Sequence, residues 1–331
     1  MVMRRCLLVV FSIVTVLASG PGSARAELIT LYGSERVGSS GGQFLRIPVG
    51  ARAVALGNAN TALASGATAL FSNPGALSTV HHDHSLFVSH FSYAADIDIH
   101  HMGYVQRHAS WQWGFGLGVL DSGEIPRTTE TQPLGTGQTF NADQVVATVG
   151  LSRLLTDRIT LGASVKFLQE SLDDYENRAY LLDLGALYYL GYRTARIGFA
   201  VNNFGPDLRL NGNPPEDAGF EGSWQSFPAP TNASFGFAYD ADVFSRNVLT
   251  LGLDFIHPSD EGEAIVFATE WTVADAISFR GAFRETQDDD TITGGLGLRW
   301  DLDDRPIRLD YGFADRGSFG LLHTITLEIE R

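Results

Sequence analysis

Between Arg158 and Ser171 the chain reads RITLGASVKFLQES, where Ile159, Leu161, Ala163, Val165 and Phe167 alternate with Thr160, Gly162, Ser164 and Lys166. Successive side chains of an extended strand point to opposite faces, so this period of two gives one apolar face and one polar or small face. A tilted strand of about ten residues crosses the hydrocarbon of a bilayer. Lipid offers the backbone no hydrogen-bond partner, and strands therefore cross it only as a closed ring. One such strand fixes little; its repetition fixes the architecture.

Fourteen alternating runs follow one another from Ser85, over approximately 85–93, 97–107, 110–121, 141–153, 158–171, 178–191, 193–204, 229–240, 246–257, 262–272, 275–285, 291–301, 305–314 and 320–330. Their connections alternate in length. Those at 107–110, 155–157, 191–193, 241–245, 273–274 and 302–304 are short, whereas Ser122 to Phe140, Leu172 to Asn177, Gly205 to Pro228 and Thr286 to Asp290 are longer and more polar. Short periplasmic turns and long outside loops are the arrangement of an outer-membrane barrel. We therefore expect an all-β transmembrane antiparallel β-barrel of about 14 strands, with twelve and sixteen as the neighbouring counts, set in outer-membrane lipid. Trp111, Trp113, Phe115, Leu117 and Val119, then Leu249, Leu251, Leu253 and Phe255, then Ile307, Leu309, Tyr311 and Phe313 would face that lipid. Trp111, Tyr188, Tyr192, Trp271, Trp300 and Phe313 lie near strand ends, where interfacial aromatic girdles form.

The first residues read as a secretory leader over 1–26: Arg4 and Arg5, an apolar run from Cys6 to Ala18, and Ala24-Arg25-Ala26 before Glu27. Cys6 is the only cysteine, so the mature chain has no disulfide and no thiol chemistry. Beyond the leader, no run reaches the roughly 18 apolar residues of a membrane helix. The formal charge of −15 argues against nucleic-acid binding. Residues 27–80 are rich in Ala, Gly and Asn and lack alternation, which suggests a compact segment with short helical turns preceding the barrel at 81–331.

Inward positions of the last strands carry an acid and base series: Asp254, Glu270, Arg280, Arg284, Arg299, Arg308 and Asp310, then Glu328 and Glu330. Buried charges need partners, so such a ladder braces the wall or grips a plug; the other reading is a selectivity ring. Lys166, the only lysine, also faces inward. Seven of nine histidines cluster at positions 81, 82, 84, 90, 100, 101 and 108, but no spacing to a third ligand makes His82 and His84 a metal site. The acidic groups at 173–176 and 288–290 lack calcium-loop spacing and read as solvated loops. No serine elbow, phosphate loop or catalytic carboxylate pair is present, so we expect neither enzymatic activity nor a cofactor.

Gly42-Gln43-Phe44-Leu45-Arg46-Ile47, then Gly50-Ala51-Arg52-Ala53 with Gly57, Ala67 to Phe71 and Asn73-Pro74-Gly75-Ala76-Leu77, resemble the opening of the PorV/PorQ family, relatives of the FadL fatty-acid transporters. The resemblance implies a fourteen-stranded barrel with the N-terminal segment folded inside as a hatch, in which Gly50, Arg52, Gly57, Asn73, Pro74 and Gly75 form the architecture. Pro74 fixes its own backbone and keeps Asn73 extended. This chain has Gly75 where the family pattern has alanine, and it ends Leu327-Glu328-Ile329-Glu330-Arg331 without the terminal aromatic of barrel-assembly signals.

Two functions follow as expectations. By the resemblance, a PorV-type barrel would hold secreted cargo proteins or secretion components of a type IX system at its outer mouth; Phe220, Trp224 and Phe227 in the long loop are aromatic anchors for such a partner. The alternative is a FadL-like channel for fatty acids or other hydrophobic small molecules, against which stands the expected small and charged lumen.

Overall fold

The computed structural model describes residues 37–212, 224–244, 246–286, 291–303, 305–317 and 320–331. The expected leader, residues 27–36 of the expected hatch, Phe220 and the acidic run 288–290 lie outside them.

The barrel strands are β1 (His84–Ser92), β2 (Asp98–His108), β3 (Trp111–Asp121), β6 (Ala142–Leu154), β7 (Ile159–Leu172), β8 (Tyr175–Tyr189) and β9 (Arg196–Phe204). They continue as β10 (Asn232–Phe244), β11 (Asn247–Pro258), β12 (Ala264–Val273), β13 (Ile277–Thr286), β14 (Thr291–Leu302), β15 (Arg305–Asp315) and β16 (Leu321–Glu330). The loop after β3 carries its own small ribbon, β4 (Ile125–Pro126) with β5 (Thr139–Phe140), which alternation did not reveal because each arm is two residues long. Fourteen strands close into one antiparallel ring, and β1 meets β16 in register from Ser85 opposite Glu330 to Ser92 opposite His323. Each strand begins and ends within four residues of its expected bounds.

The alternation sorts the faces as the sequence predicts. Leu86, Phe115, Val149, Phe199, Phe267, Leu296 and Ile325 are exposed on the outer wall. An apolar surface running round the whole barrel is untenable in water and belongs in lipid.

Inside, residues 50–80 fill the lumen from the side of the short turns, where Gly75 meets Ser152 and Thr160, up to Val266 and Thr293 on β12 and β14. They form a helix at Ala51–Ala55 and 3₁₀ turns at Ala67–Phe71 and Pro74–Thr79. The wall makes room with glycine: a Cβ at Gly162 would overlap the Pro74 backbone, one at Gly198 the Thr61 carbonyl and one at Gly312 the Ala51 carbonyl. The hatch in turn presents small or aliphatic residues, with Leu56, Ala59, Leu70, Ala76 and Leu77 fully buried.

Candidate functional site

The hatch motif is architectural. Asn73 Nδ2 donates to the carbonyls of Thr61 (2.6 Å) and Ala186 (3.2 Å), while its Oδ1 accepts from the Gly75 N–H (3.0 Å). The Ser152 and Thr160 hydroxyls donate to the Gly75 carbonyl. A Cβ on Gly75 would lie 2.8 Å from the β8 backbone at Ala186, which explains glycine where the resembled pattern has alanine. Gly50 and Gly57 flank the helix with φ of 92° and 63°, in the region where only glycine sits without strain.

The inward charges assemble in part. Arg52 of the hatch pairs with Glu270 on β12 (2.7 Å), and Glu270 also faces Arg280 on β13 (3.6 Å). Arg280 reaches across β14 to Asp310 on β15 (2.7 Å), passing over Gly297, where a Cβ would crowd both. Asp310 pairs with Arg308 (2.9 Å), Arg308 with Glu328 on β16, and Glu328 accepts from the Ala67 N–H of the hatch (2.9 Å). The chain of charges therefore starts and ends on the hatch. Its inner members carry little water, as side-chain exposures of 1% for both Arg280 and Asp310 attest. Burial pushes the Arg52 guanidinium below its ordinary value, with Glu270 pulling it back up.

Four residues expected in or beside this ladder stand elsewhere. Asp254 is fully buried and has no ion pair among the described residues; one oxygen accepts from the Thr61 N–H (2.8 Å), so it grips the hatch instead. Lys166 forms a separate buried pair with Asp183 (2.8 Å) and donates to Asn203 Oδ1 (2.7 Å). Asn203, with φ of 58°, sits where the β8–β9 register shifts. Arg284 lies near the opposite, outer end of its strand, and Arg299 is exposed at the inner mouth. Alternation predicts the inward face correctly for all four, but position along the strand separates them.

Above the hatch lies a cavity of about 1030 Å³. Its wall includes Phe44, Phe91, Tyr93, Ile97, Leu120 and Leu322, and inward-facing Ile99, Val146, Leu168 and Leu181 pack in the same apolar cluster. The expectation of a small, charged lumen is corrected in part: the outer half is roomy, and apolar side chains share its wall with amides, hydroxyls and the charged Arg46, Glu261, Arg284 and Arg316. Arg284 and Arg316 also border the cavity, neither with an ion pair among the described residues. Asn202, whose Nδ2 donates to the Ser72 carbonyl (2.7 Å), ties its floor to the wall. Ser40, Gln43 and Arg46 converge on the buried carboxylate of Asp260, and Arg46 also pairs with Glu261, pinning the first part of the expected hatch to the β11–β12 loop. The sequence reading missed Asp260 because loops carry no periodicity.

Trp224, read as a partner anchor, packs edge-on against Tyr175 (5.0 Å), and its indole nitrogen is buried. Phe227 is exposed and pairs through its backbone with Leu208. The histidines disperse: His84 meets the Tyr104 hydroxyl, His90 stacks on His100 outside the barrel, and His101 stacks on Phe44 inside. Among the described residues, no three His, Cys, Asp or Glu side chains converge as a metal site.

Residues 20–169 match an uncharacterised protein family, UPF0164. No curated protein matches the chain. Among solved structures, the toluene transporter TodX of Pseudomonas putida is similar over 85% of this chain and 96% of its own, at 16% identity and a TM-score of 0.57. The toluene transporter TbuX of Ralstonia pickettii shares 15% identity over 85% of this chain and 96% of its own, with a TM-score of 0.53. A FadL homologue of Pseudomonas aeruginosa shares 11% identity over 85% and 97% respectively, also with a TM-score of 0.53. At such identities the likeness shows the fold, a FadL-like fourteen-stranded outer-membrane β-barrel.

Proposed function

We propose that the protein is a FadL-like channel that takes up hydrophobic small molecules carrying an acidic group, such as fatty acids, across the bacterial outer membrane. The observation that carries this reading is the outer cavity. At about 1030 Å³ it has the size of a small-molecule site, with Phe44, Phe91, Ile97, Leu120 and Leu322 for a hydrocarbon chain and Arg284 and Arg316 for a carboxylate. The likeness to two toluene transporters and a FadL homologue supports a transport role for the fold. The arginines favour an acid over a bare hydrocarbon, because a guanidinium gains most from a charged acceptor. The reading as a holder of secreted proteins loses support from Trp224, which packs against Tyr175 at the start of β8 instead of standing free. Uptake of labelled fatty acid by cells with and without the gene tests the proposal. Faster uptake with the gene is expected, and equal uptake would overturn it.

A further inference from the structure

Besides its apolar and cationic sides, the outer cavity has a side of neutral polar groups. Where β9 meets β10, Asn202 and Asn232 stand directly opposite one another, and Ser234 follows two residues further along the same face of β10. All three border the cavity, as do Asn60 and Thr61 of the hatch. Thr61 adjoins the next inward position of β10, since a Cβ on Gly236 would lie 2.8 Å from the Thr61 Cβ.

The strand is shaped to make this patch. Alternation through Gly198, Ala200 and Asn202 would send Asn203 to the lipid, yet Asn202 and Asn203 are both buried, because the register with β8 shifts there and Asn203 has φ of 58°. Left-handed backbone at a residue with a side chain persists only where its surroundings hold it. Here the chain's single lysine does so. Lys166 Nζ donates to Asn203 Oδ1 (2.7 Å) and pairs with Asp183 (2.8 Å), while Asp183 accepts from the Asn203 N–H (2.7 Å). Asn203 Nδ2 donates to the Pro230 carbonyl (3.3 Å), so this side chain is fully engaged.

Its neighbours are engaged only in part. Asn202 Nδ2 serves the Ser72 carbonyl, which leaves Oδ1 as an acceptor. Asn232 makes no side-chain hydrogen bond among the described residues; its Oδ1 is buried, so its amide nitrogen is the group open to the cavity. An acceptor on one strand and a donor on the next suit a hydroxyl, which both donates and accepts. A bare alkyl chain laid over the two amides would strip them of solvent and return no hydrogen bond. Arg284 on β13 is three strands from Asn232 on β10, about 14 Å along the wall at the usual strand spacing. A single molecule reaches both only if hydrocarbon separates its polar groups.

We propose that the cavity takes long-chain acids that carry a hydroxyl group along the chain, with the carboxylate at Arg284 and Arg316 and the hydroxyl between Asn202 and Asn232. The proposal rests on the channel reading and narrows its substrate class. Oleate and ricinoleate differ by one mid-chain hydroxyl, and their displacement of a fluorescent probe from the purified, folded barrel compares them directly. Ricinoleate is expected to bind about tenfold more tightly, although its hydroxyl would weaken binding to a purely apolar wall. Asn232→Leu removes an amide that no described residue hydrogen-bonds, and should bring ricinoleate to the affinity of oleate without weakening oleate. Heat-dependent gel migration verifies the fold of the variant, and the comparison within the parent needs no variant. Equal affinities in the parent, or a preference that survives Asn232→Leu, would overturn the proposal and leave the channel reading standing. Binding of neither acid would overturn both.

Discussion

The inner and outer halves of the lumen solve opposite problems with the same strands. In the inner half, glycines on the wall admit the hatch backbone and a continuous chain of charges from Arg52 to Glu328 closes on the hatch at both ends. In the outer half, Phe91 and Leu120 line the cavity with Phe44 and Leu322, backed by the buried Val146, Leu168 and Leu181. One half is specified by close fit and charge, the other by a mixed apolar and polar surface left partly uncovered. The lesson is that period-two alternation tells which residues face inward but says nothing about what they meet there: the occupant of the lumen decides whether an inward position must be small, charged or greasy.

The contrast breaks most visibly at Asp310. Asp310→Ala leaves Arg280 and Arg308 buried beside one another without the carboxylate between them. Breaking a buried pair from one side costs about 3–5 kcal/mol, so the urea midpoint of the folded barrel should fall markedly. An unchanged midpoint would mean that water already serves the inner half and that the ionic description of it is wrong. Gly185→Val tests close fit by itself, without charge. Its side chain would collide with Asn73 Oδ1 and the Pro74 ring, and overpacking of this kind costs about 1–3 kcal/mol. We expect protease to reach residues 73–79 sooner than in the parent while the strands persist. Equal protection would show that the hatch shifts to accommodate the new side chain.

How much of this was legible follows from the same distinction. All fourteen strands and the inward face of every charge came from alternation, because a lipid face and a lumen face impose it on each strand separately. Which charges meet came through only in part. Glu270, Arg280, Arg308 and Asp310 are neighbours in space, but Arg284 and Arg299, on the same or an adjacent strand and the same face, lie towards opposite mouths, since height along a tilted strand depends on register. The partner of Lys166 was within reach: Asp183 is the one acid among the buried inward positions of the neighbouring strand β8, and a buried lysine demands one. Asp260 was not, because it lies in a loop and its partners Ser40, Gln43 and Arg46 precede it by more than 200 residues.

The finest test of the contrast separates binding from stability in the outer half. Arg284 borders the cavity and has no ion pair among the described residues, and Glu261, near enough to act on it, keeps its own pair with Arg46. Arg284→Gln keeps a polar, though shorter, side chain and removes the charge, and the urea midpoint should stay within about 0.5 kcal/mol of the parent, as for substitutions that touch no buried network. Affinity for a fatty acid, measured by displacement of a fluorescent probe from the purified barrel, should fall about tenfold, or about 1.4 kcal/mol. Affinity for the alcohol of the same chain length should not change, because a neutral head gains little from a guanidinium. Equal losses for acid and alcohol would mean that Arg284 shapes the cavity wall without reading charge. A loss of stability comparable to that of Asp310→Ala would erase the distinction between the halves, since the outer half would then also be held together by its ions.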